Sequence, residues 1–450
     1  MMTKGNLFKP LIFHELSIWV WPGCVLFFLM LFVPTRYQLV KAILLALVLS
    51  IILTNILMQG GKIRIHKTVL RWTVFYLALG LFWISQGFLH QAPGALRVST
   101  VYLLWPLVYT VLVAGISTER ILRTTIRVLV FGTIAIALYS ASYILHEAGL
   151  LADFLYIDID QGQAIGFYSG YVEYRLFSIS SLLFLVPFVV AAFLTWPKNS
   201  GMPVSRSWLW CAFVLGIIFV FLSGRRALLL IVAISPAISL ALRHFMPRRV
   251  KIRNKKPVIR AITGCALLLP VIVFCLSSMF DFNLRSVWEM FFEGFDFTRH
   301  DSALARYEQF FALVDGWKQY PLLGAGHGSG VAFNRSSEMP WAYELSYVAM
   351  FYQTGLIGFA LYASGVVWIF CMGVRMIRSG HPLGIQILPV LTGTACFLIG
   401  NATNPYLAKY DYIWVVFLPV AFINHWLLQR KRRHELQVST KILKRVSSFA

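Results

Sequence analysis

Long runs of apolar residues, separated by short polar segments, recur along the whole chain. Most runs reach about 18 residues, the length that carries a helix across a bilayer. Their apolar positions are continuous and do not alternate with polar ones, unlike those of transmembrane β-strands. The pattern predicts an all-α integral membrane protein with about 12 transmembrane helices. The predicted spans cover residues 11–33, 38–58, 69–90, 98–116, 123–146, 176–196, 208–223, 227–243, 260–280, 341–370, 383–401 and 412–428.

The composition supports this class of protein. Hydrophobic residues make up 58% of the chain and charged residues 13%, whereas soluble domains are about 25% charged. The first run lacks a small-residue cleavage site, so no cleavable signal peptide is expected. We expect a single polytopic domain over 1–450, with long outer loops at 147–175 and 281–340 and a basic tail at 429–450.

The distribution of charge predicts the orientation in the membrane. With the N-terminus inside, most of the 40 Lys and Arg residues fall in inner segments, as the positive-inside rule requires. Only three of the 18 acidic residues, Glu15, Glu119 and Glu435, fall on that side. Both termini are therefore expected in the cytoplasm.

The net charge of +22 raises the question of nucleic acid as a partner. No recognition motif accompanies the charge. The basic clusters lie where they would meet anionic lipid of the inner leaflet. Anionic inner-leaflet lipid is therefore an expected partner, and nucleic acid is not.

The loop at 281–340 carries the most detailed local signals. The stretch DSALARYEQFFALVDGWKQYP predicts a helix that Asp301 or Ser302 can cap and that Pro321 ends. The glycine-rich turn LLGAGHGSG follows. It has neither a preceding strand nor a following Lys-Ser/Thr pair, so a nucleotide-binding loop is rejected.

Three arginines are candidates for binding an anionic group. Arg225 and Arg226 lie at a tight turn between two short spans, and Arg306 lies on the loop helix. Guanidinium groups bind phosphate with two hydrogen bonds, and a lipid pyrophosphate sits at this depth of the membrane. The alternatives are that the arginine pair contacts generic head groups and that Arg306 belongs to a solvated helix face.

Glu344 is the candidate catalytic residue. A carboxylate at the outer end of an apolar span is costly unless it has a purpose. It can act as a general base that takes a proton from a sugar hydroxyl. The alternative is a carboxylate favoured by the dipole at a helix N-terminus.

Four further residues are candidates for substrate binding, each with a structural alternative. They are Arg175, His327, Tyr343 and Asn404. Asn401 and Lys409 are outer-edge polar groups near Asn404. Metal ligands are not predicted, because no Cys or His pattern with ligand spacing is present.

Taken together, four segments resemble the O-antigen ligase/polymerase superfamily of bacterial membrane glycosyltransferases. In order they are YRLFS, SGRRALLL, ARYEQFFALVDGWKQYPLLGAGHGS and WAYELSYVAMFYQTGLIG. The resemblance covers about residues 170–360, including the spacing from Glu344 to the Gly-Leu-Ile-Gly motif at 355–358.

This resemblance implies a GT-C-like helical fold in the bacterial inner membrane. It also implies an undecaprenyl-pyrophosphate-linked oligosaccharide donor, a glycan acceptor, no cofactor and transfer at the periplasmic face. Arg225, Arg226 and Arg306 match the family's pyrophosphate-binding arginines, and no metal is required if they take that role. A chain-length regulator is a further candidate partner.

One departure from the family bears on the reaction. The ligases resemble one another in having histidine where this chain has Glu344. The sequence therefore favours a Wzy-type polymerase, which joins lipid-linked repeat units into O-antigen, capsule or exopolysaccharide. The alternatives are a ligase that transfers glycan to lipid A-core, a transporter of lipid-linked glycan, and a scaffold of an envelope complex.

Overall fold

The computed structural model shows a mostly helical (76%) protein. Among the residues that the structure describes, eight helices are long and apolar enough to cross a membrane, and three shorter apolar helices accompany them. These helices indicate a multi-pass membrane protein. The structure describes residues 16–61, 63–159, 161–168, 171–197, 202–247, 283, 285–286, 289, 301–333 and 338–447.

The helices follow the apolar runs closely. Their bounds are α1 Leu16–Phe32, α2 Gln38–Met58, α3 Lys67–Leu89, α4 Ala95–Ile116, α5 Glu119–Glu147, α6 Ile179–Thr195, α7 Arg206–Leu222, α8 Arg226–His244, α9 Asp301–Gln319, α10 Ser346–Arg378, α11 Gly384–Gly400 and α12 Tyr410–Ser447. The middle of α4, Thr100–Leu104, is π-helical.

Eleven of the predicted spans coincide with a helix, and the loop helix is present as α9. The predicted span at 260–280 lies outside the described residues. Two helices differ from expectation. Helix α10 begins at Ser346 and is interrupted at Gly355. Helix α12 continues through the basic tail and ends at Ser447. The tail is rich in the helix-forming residues Lys, Arg, Leu and Glu.

The outer loop at 147–175 contains a β-hairpin, which the all-α prediction did not include. Strand β1 (Ala164–Tyr168) pairs with the antiparallel strand β2 (Tyr171–Arg175). Their aromatic and β-branched residues favour strands. Tyr174 of β2 is buried, and its hydroxyl donates to the backbone oxygen of Phe219 in α7. The hairpin is therefore fixed to the end of α7.

The core lies around α6, which packs against α8 and α11. The sequence of α6 is apolar on every side, and nearly all of its residues are buried. A helix with no polar face has to be enclosed by other helices or by lipid. Helix α6 therefore forms the centre around which the helices near the candidate site are arranged.

A buried ion pair joins the first helical hairpin to the last helix. Lys41 Nζ lies 2.6 Å from Asp411 Oδ1, and the two side chains are 1% and 2% exposed. Lys41 also donates to the Val33 backbone oxygen, at 2.7 Å. The other oxygen of Asp411 accepts from the Thr35 backbone nitrogen and from Gln38. The sequence analysis singled out neither Lys41 nor Asp411.

Candidate functional site

The loop helix α9 holds the segment that precedes α10. Arg306 Nε donates to Glu344 Oε2 at 2.7 Å. One turn later, the buried side chain of Gln309 accepts from the Leu345 backbone nitrogen at 3.0 Å. Residues three apart share one face of a helix. The two hydrogen bonds therefore fix Glu344 against a single face of α9.

The Arg306–Glu344 pair is partly open. The Arg306 side chain is 37% exposed and that of Glu344 is 20% exposed. Glu344 precedes the helix, because α10 begins at Ser346 and has no acidic residue in its first turn. The structure thus places Glu344 directly before the N-cap residue Leu345 of α10, where its side chain bonds to Arg306 of α9.

Tyr406 identifies a third part of the site. It lies in the polar segment between α11 and α12. Burial raises the pKa of its hydroxyl, and the charges of Arg225, Glu344 and Arg306 act on the same group. Electrostatic interactions of this kind fall off with distance. The two arginines and the carboxylate are therefore gathered near one tyrosine hydroxyl.

Arg225 reaches this region from the turn between α7 and α8. It precedes the first residue of α8, and its backbone nitrogen donates to Ser223 Oγ at 3.3 Å. Gly224 in this turn has φ +61°, and a Cβ there would lie 3.1 Å from Glu173 Cβ. A glycine suits both the backbone conformation and the close approach of the hairpin.

The side chain of Arg225 also has unused hydrogen-bonding capacity. Among the residues that the structure describes, its Nε is buried and has no hydrogen-bond partner. A buried donor without an acceptor is unfavourable. An anionic ligand at this position would therefore be stabilised by Arg225.

The other predicted arginines are placed differently. Arg226 is the first residue of α8 and is half-buried. Of the two adjacent arginines, Arg225 is the one whose charge lowers the pKa of the Tyr406 hydroxyl. Arg175 ends strand β2, is 65% exposed and lies 3.9 Å from Glu173. Arg175 therefore belongs to the hairpin beside the Arg225 turn.

His327 is fully buried in the glycine-rich turn. Its Nε2 lies 3.0 Å from the Tyr362 hydroxyl, its Nδ1 lies 3.4 Å from Gln353 Oε1, and its ring stacks on Tyr102. Burial lowers its pKa to about 3, although the bond to Gln353 acts in the opposite direction. A neutral, enclosed imidazole of this kind favours a structural role.

Tyr343 and Asn404 shape the segments beside the site. Tyr343 is buried, and its hydroxyl accepts a hydrogen bond from the Val331 backbone nitrogen. Asn404 donates to Thr403 Oγ1 at 3.4 Å, and its backbone oxygen accepts from the Tyr406 nitrogen at 2.8 Å. Asn404 thus helps to form the turn that carries Tyr406.

The break in α10 joins two glycine-rich motifs. Gly355 has φ 64° and ψ −175°. Just beyond it, the Leu356 nitrogen donates to the Pro321 oxygen at 2.9 Å, and the Ile357 nitrogen donates to the Leu322 oxygen at 3.1 Å. The loop after α9 therefore supplies the acceptors at the break.

Glycine is needed at this junction because two backbones meet. Gly324 has φ +71°, and a Cβ there would lie 2.4 Å from the backbone carbon of Gln353. The Ala325 nitrogen donates to Tyr352, and the Gly326 nitrogen donates to Gln353. The PLLGAG and GLIG motifs are thus one packed unit, which connects α9 to α10 below Glu344.

Within the described residues, no group of three or more His, Cys, Asp or Glu side chains is placed to hold a metal ion. The site is instead a carboxylate, two guanidinium groups and a phenol. This set can bind an anion and accept a proton.

The sequence analysis missed two residues of this region, Tyr406 and Gln309. Tyr406 is one of 19 tyrosines in the chain, and Gln309 is an ordinary polar residue on a loop helix. One signal could have indicated Tyr406: it lies two residues after Asn404, in the polar segment that also contains Asn401 and Lys409. Sequence comparison adds no assignment, because neither a model of a known protein family nor a curated protein matches the chain.

Proposed function

We propose that the protein is a glycosyltransferase that uses lipid-pyrophosphate-linked oligosaccharide, and that it polymerises repeat units. The observation that carries the proposal is the gathering of Arg306, Glu344 and Arg225 around Tyr406. These residues come from the loop helix, the segment before α10, the α7–α8 turn and the α11–α12 segment. Such a convergence of charges from three parts of the chain on a tyrosine from a fourth is typical of a functional site.

The reaction assigns one role to each type of group. Glu344 accepts the proton of the attacking sugar hydroxyl as that oxygen forms a bond to the anomeric carbon. The bond from the anomeric carbon to the pyrophosphate oxygen breaks, and the lipid pyrophosphate leaves with the electron pair. Arg225 and Arg306 stabilise the negative charge that develops on the leaving group.

The ion pair fits a resting state of this site. A pyrophosphate carries more negative charge than a carboxylate and would compete with Glu344 for Arg306. Donor binding would then release the carboxylate for the acceptor hydroxyl. The exposure of both side chains supports such an exchange, because a sealed pair would resist it.

The interruption of α10 bears on the transporter alternative. Transporters place broken helices around the substrate site, with the freed backbone groups facing the cargo. Here the backbone groups beyond Gly355 are bonded to Pro321 and Leu322. This packing favours a fixed framework beneath an outer-face site over a transport pathway.

The test is a gel profile of surface and lipid-linked glycan in the bacterium that encodes the protein. A deletion strain is complemented with wild type, with Glu344→Gln or with the matched control Glu119→Gln. Glu119 pairs with Arg123 at 2.8 Å and lies outside the site. Membrane levels of each variant are measured by immunoblot.

A polymerase predicts single repeat units without a ladder in the deletion and Glu344→Gln strains, and a normal ladder with Glu119→Gln. Long polymer retained on the lipid carrier would assign the protein as a ligase. A normal ladder with Glu344→Gln at wild-type protein levels would refute the catalytic role of the carboxylate.

A further inference from the structure

A cavity of about 600 Å³ lies between α1, α2, α4, α5 and α12. Its inner wall is apolar and includes Phe27, Met30, Ile52 and Trp414. None of the charged residues of the candidate transferase site lines it. The cavity is therefore a separate feature that the proposed function does not use.

Several polar residues of the lining gather at one end. Gln59, at the end of α2, Arg64 in the following segment, and Thr118 and Arg120 at the start of α5 all line this end. The remaining wall is mainly aliphatic and aromatic. The cavity is thus amphipathic, with a polar opening and an apolar interior.

The depth of the cavity matches one leaflet of a bilayer. Along α2 its lining runs from Val48 to Gln59, which corresponds to about 16 Å at the rise of an α-helix. The hydrocarbon core of a bilayer is about 30 Å thick, so one leaflet contributes about 15 Å. A lipid acyl chain of ordinary length therefore fits between the opening and the end of the cavity.

The opening of the cavity carries two positive charges. Arg64 and Arg120 are exposed, and neither forms an ion pair among the described residues. The neighbouring carboxylate of Glu119 is paired with Arg123, at 2.8 Å. Two guanidinium groups at the mouth of an apolar cavity attract phosphate and disfavour a cationic head group.

We propose that this cavity is a binding site for an anionic phospholipid. The phosphate of the lipid contacts Arg64 and Arg120, and one acyl chain lies between α1, α2 and α4. The lipid would connect α1 and α2 to the remaining helices at a place where protein side chains leave a gap. This proposal is independent of the glycosyltransferase proposal.

Native mass spectrometry of the delipidated full chain tests the site. The protein in detergent is titrated with phosphatidylglycerol or with phosphatidylethanolamine carrying the same acyl chains. We expect one equivalent of phosphatidylglycerol to bind at least tenfold more tightly than phosphatidylethanolamine. Each arginine at a membrane surface contributes about a fivefold preference for anionic lipid, so Arg64→Gln with Arg120→Gln should weaken binding about 25-fold.

Two further variants separate this site from general surface attraction. Arg71→Gln with Arg432→Gln removes the same charge from exposed positions outside the lining, and should leave the bound equivalent in place. Gly23 lines the cavity, and a Cβ there would meet nothing within 4 Å. Gly23→Leu should therefore occupy part of the cavity and weaken binding, and Gly23→Ala should weaken it less.

Several outcomes would overturn the proposal. Equal retention of phosphatidylethanolamine would refute the head-group selection. Equal weakening by the Arg71/Arg432 control pair would show that binding follows overall charge. Unchanged phosphatidylglycerol binding by a monodisperse Gly23→Leu protein would show that the lipid does not enter the cavity.

Discussion

Two ion pairs join distant parts of this chain, and their surroundings differ. Lys41 and Asp411 are 1% and 2% exposed, and both oxygens of the carboxylate accept hydrogen bonds from protein donors. Arg306 and Glu344 are 37% and 20% exposed. The enclosed pair has no room for a ligand, whereas the open pair can exchange its partner. Burial with satisfied partners favours a structural role for the first pair, whereas the exposure of the second leaves both of its groups accessible to a ligand.

The largest expected effect is a loss of stability when the buried Lys41–Asp411 pair is broken. Lys41→Met leaves Asp411 buried without its cation, which destabilises a protein by about 3–5 kcal/mol. Arg306→Met removes a partly exposed pair, which contributes about 1 kcal/mol or less. Thermal unfolding of the purified variants in one detergent measures the difference.

A double variant provides the control for this prediction. Lys41→Met with Asp411→Leu removes both charges and should recover most of the lost stability. Equal stability losses for Lys41→Met and Arg306→Met would contradict the distinction between the two ion pairs.

The buried side chain of His327 predicts how the stability of the protein depends on pH. The folded-state pKa of His327 is about 3, below the unfolded value of about 6.5. Between these values the unfolded chain binds a proton that the folded protein does not. The contribution of His327 to the free energy of unfolding is therefore complete above pH 6.5. It is lost as the pH falls toward 3, at about 1.4 kcal/mol per pH unit.

Unfolding of wild type and His327→Gln at pH 7.5 and 5.5 tests this dependence. Wild type should lose about 1.4 kcal/mol more than the variant over this change. Identical pH dependence in the two proteins would mean that His327 takes up protons in the folded state. Solvent access to His327 would then make it a candidate site residue again.

The smallest expected effect is a slower transfer reaction when the Tyr406 hydroxyl is removed. Tyr406→Phe removes one hydrogen-bonding group and keeps the ring that packs on Phe397 and Tyr412. We expect transfer to slow about tenfold, which corresponds to about 1.4 kcal/mol, close to the lower end of the range for a hydrogen bond to a charged group. Stability should remain near that of wild type.

Tyr412→Phe is the matched control for Tyr406→Phe. The Tyr412 hydroxyl bonds to Ser180 within the core, so its loss should affect stability more than transfer. A rate for Tyr406→Phe equal to that of wild type would remove the hydroxyl from the proposed chemistry.

The spans and the loop helix could be predicted because their signals are local. Continuous apolar runs determine α2 and α5, and Pro321 follows the end of α9 closely. The interruption of α10 at Gly355 could not be predicted in the same way. It depends on the meeting of two backbones, and an apolar run containing a glycine does not specify that contact.

The pairing of charged residues from distant parts of the chain could not be predicted from the sequence either. Arg306 and Glu344 were singled out for separate roles, pyrophosphate binding and proton transfer, and their direct bond follows only from the placement of α9. Lys41 and Asp411 are 370 positions apart. In the sequence, each is only a charged residue near the end of a predicted span. Long-range pairing of this kind is set by helix packing, which hydropathy does not encode.

The most direct test of the account exchanges the two charges of the open pair. Arg306→Glu combined with Glu344→Arg keeps an ion pair between α9 and the segment before α10, but puts each group in the wrong place for chemistry. Transfer from a lipid-pyrophosphate-linked oligosaccharide to an acceptor glycan is measured with the purified full chain, alongside thermal unfolding.

We predict wild-type stability and loss of transfer to the level of Glu344→Gln, at least 100-fold, as expected when a general base is removed. Recovery of transfer in the exchanged variant, relative to either single substitution, would contradict the account. It would show that the pair only links two segments of the fold.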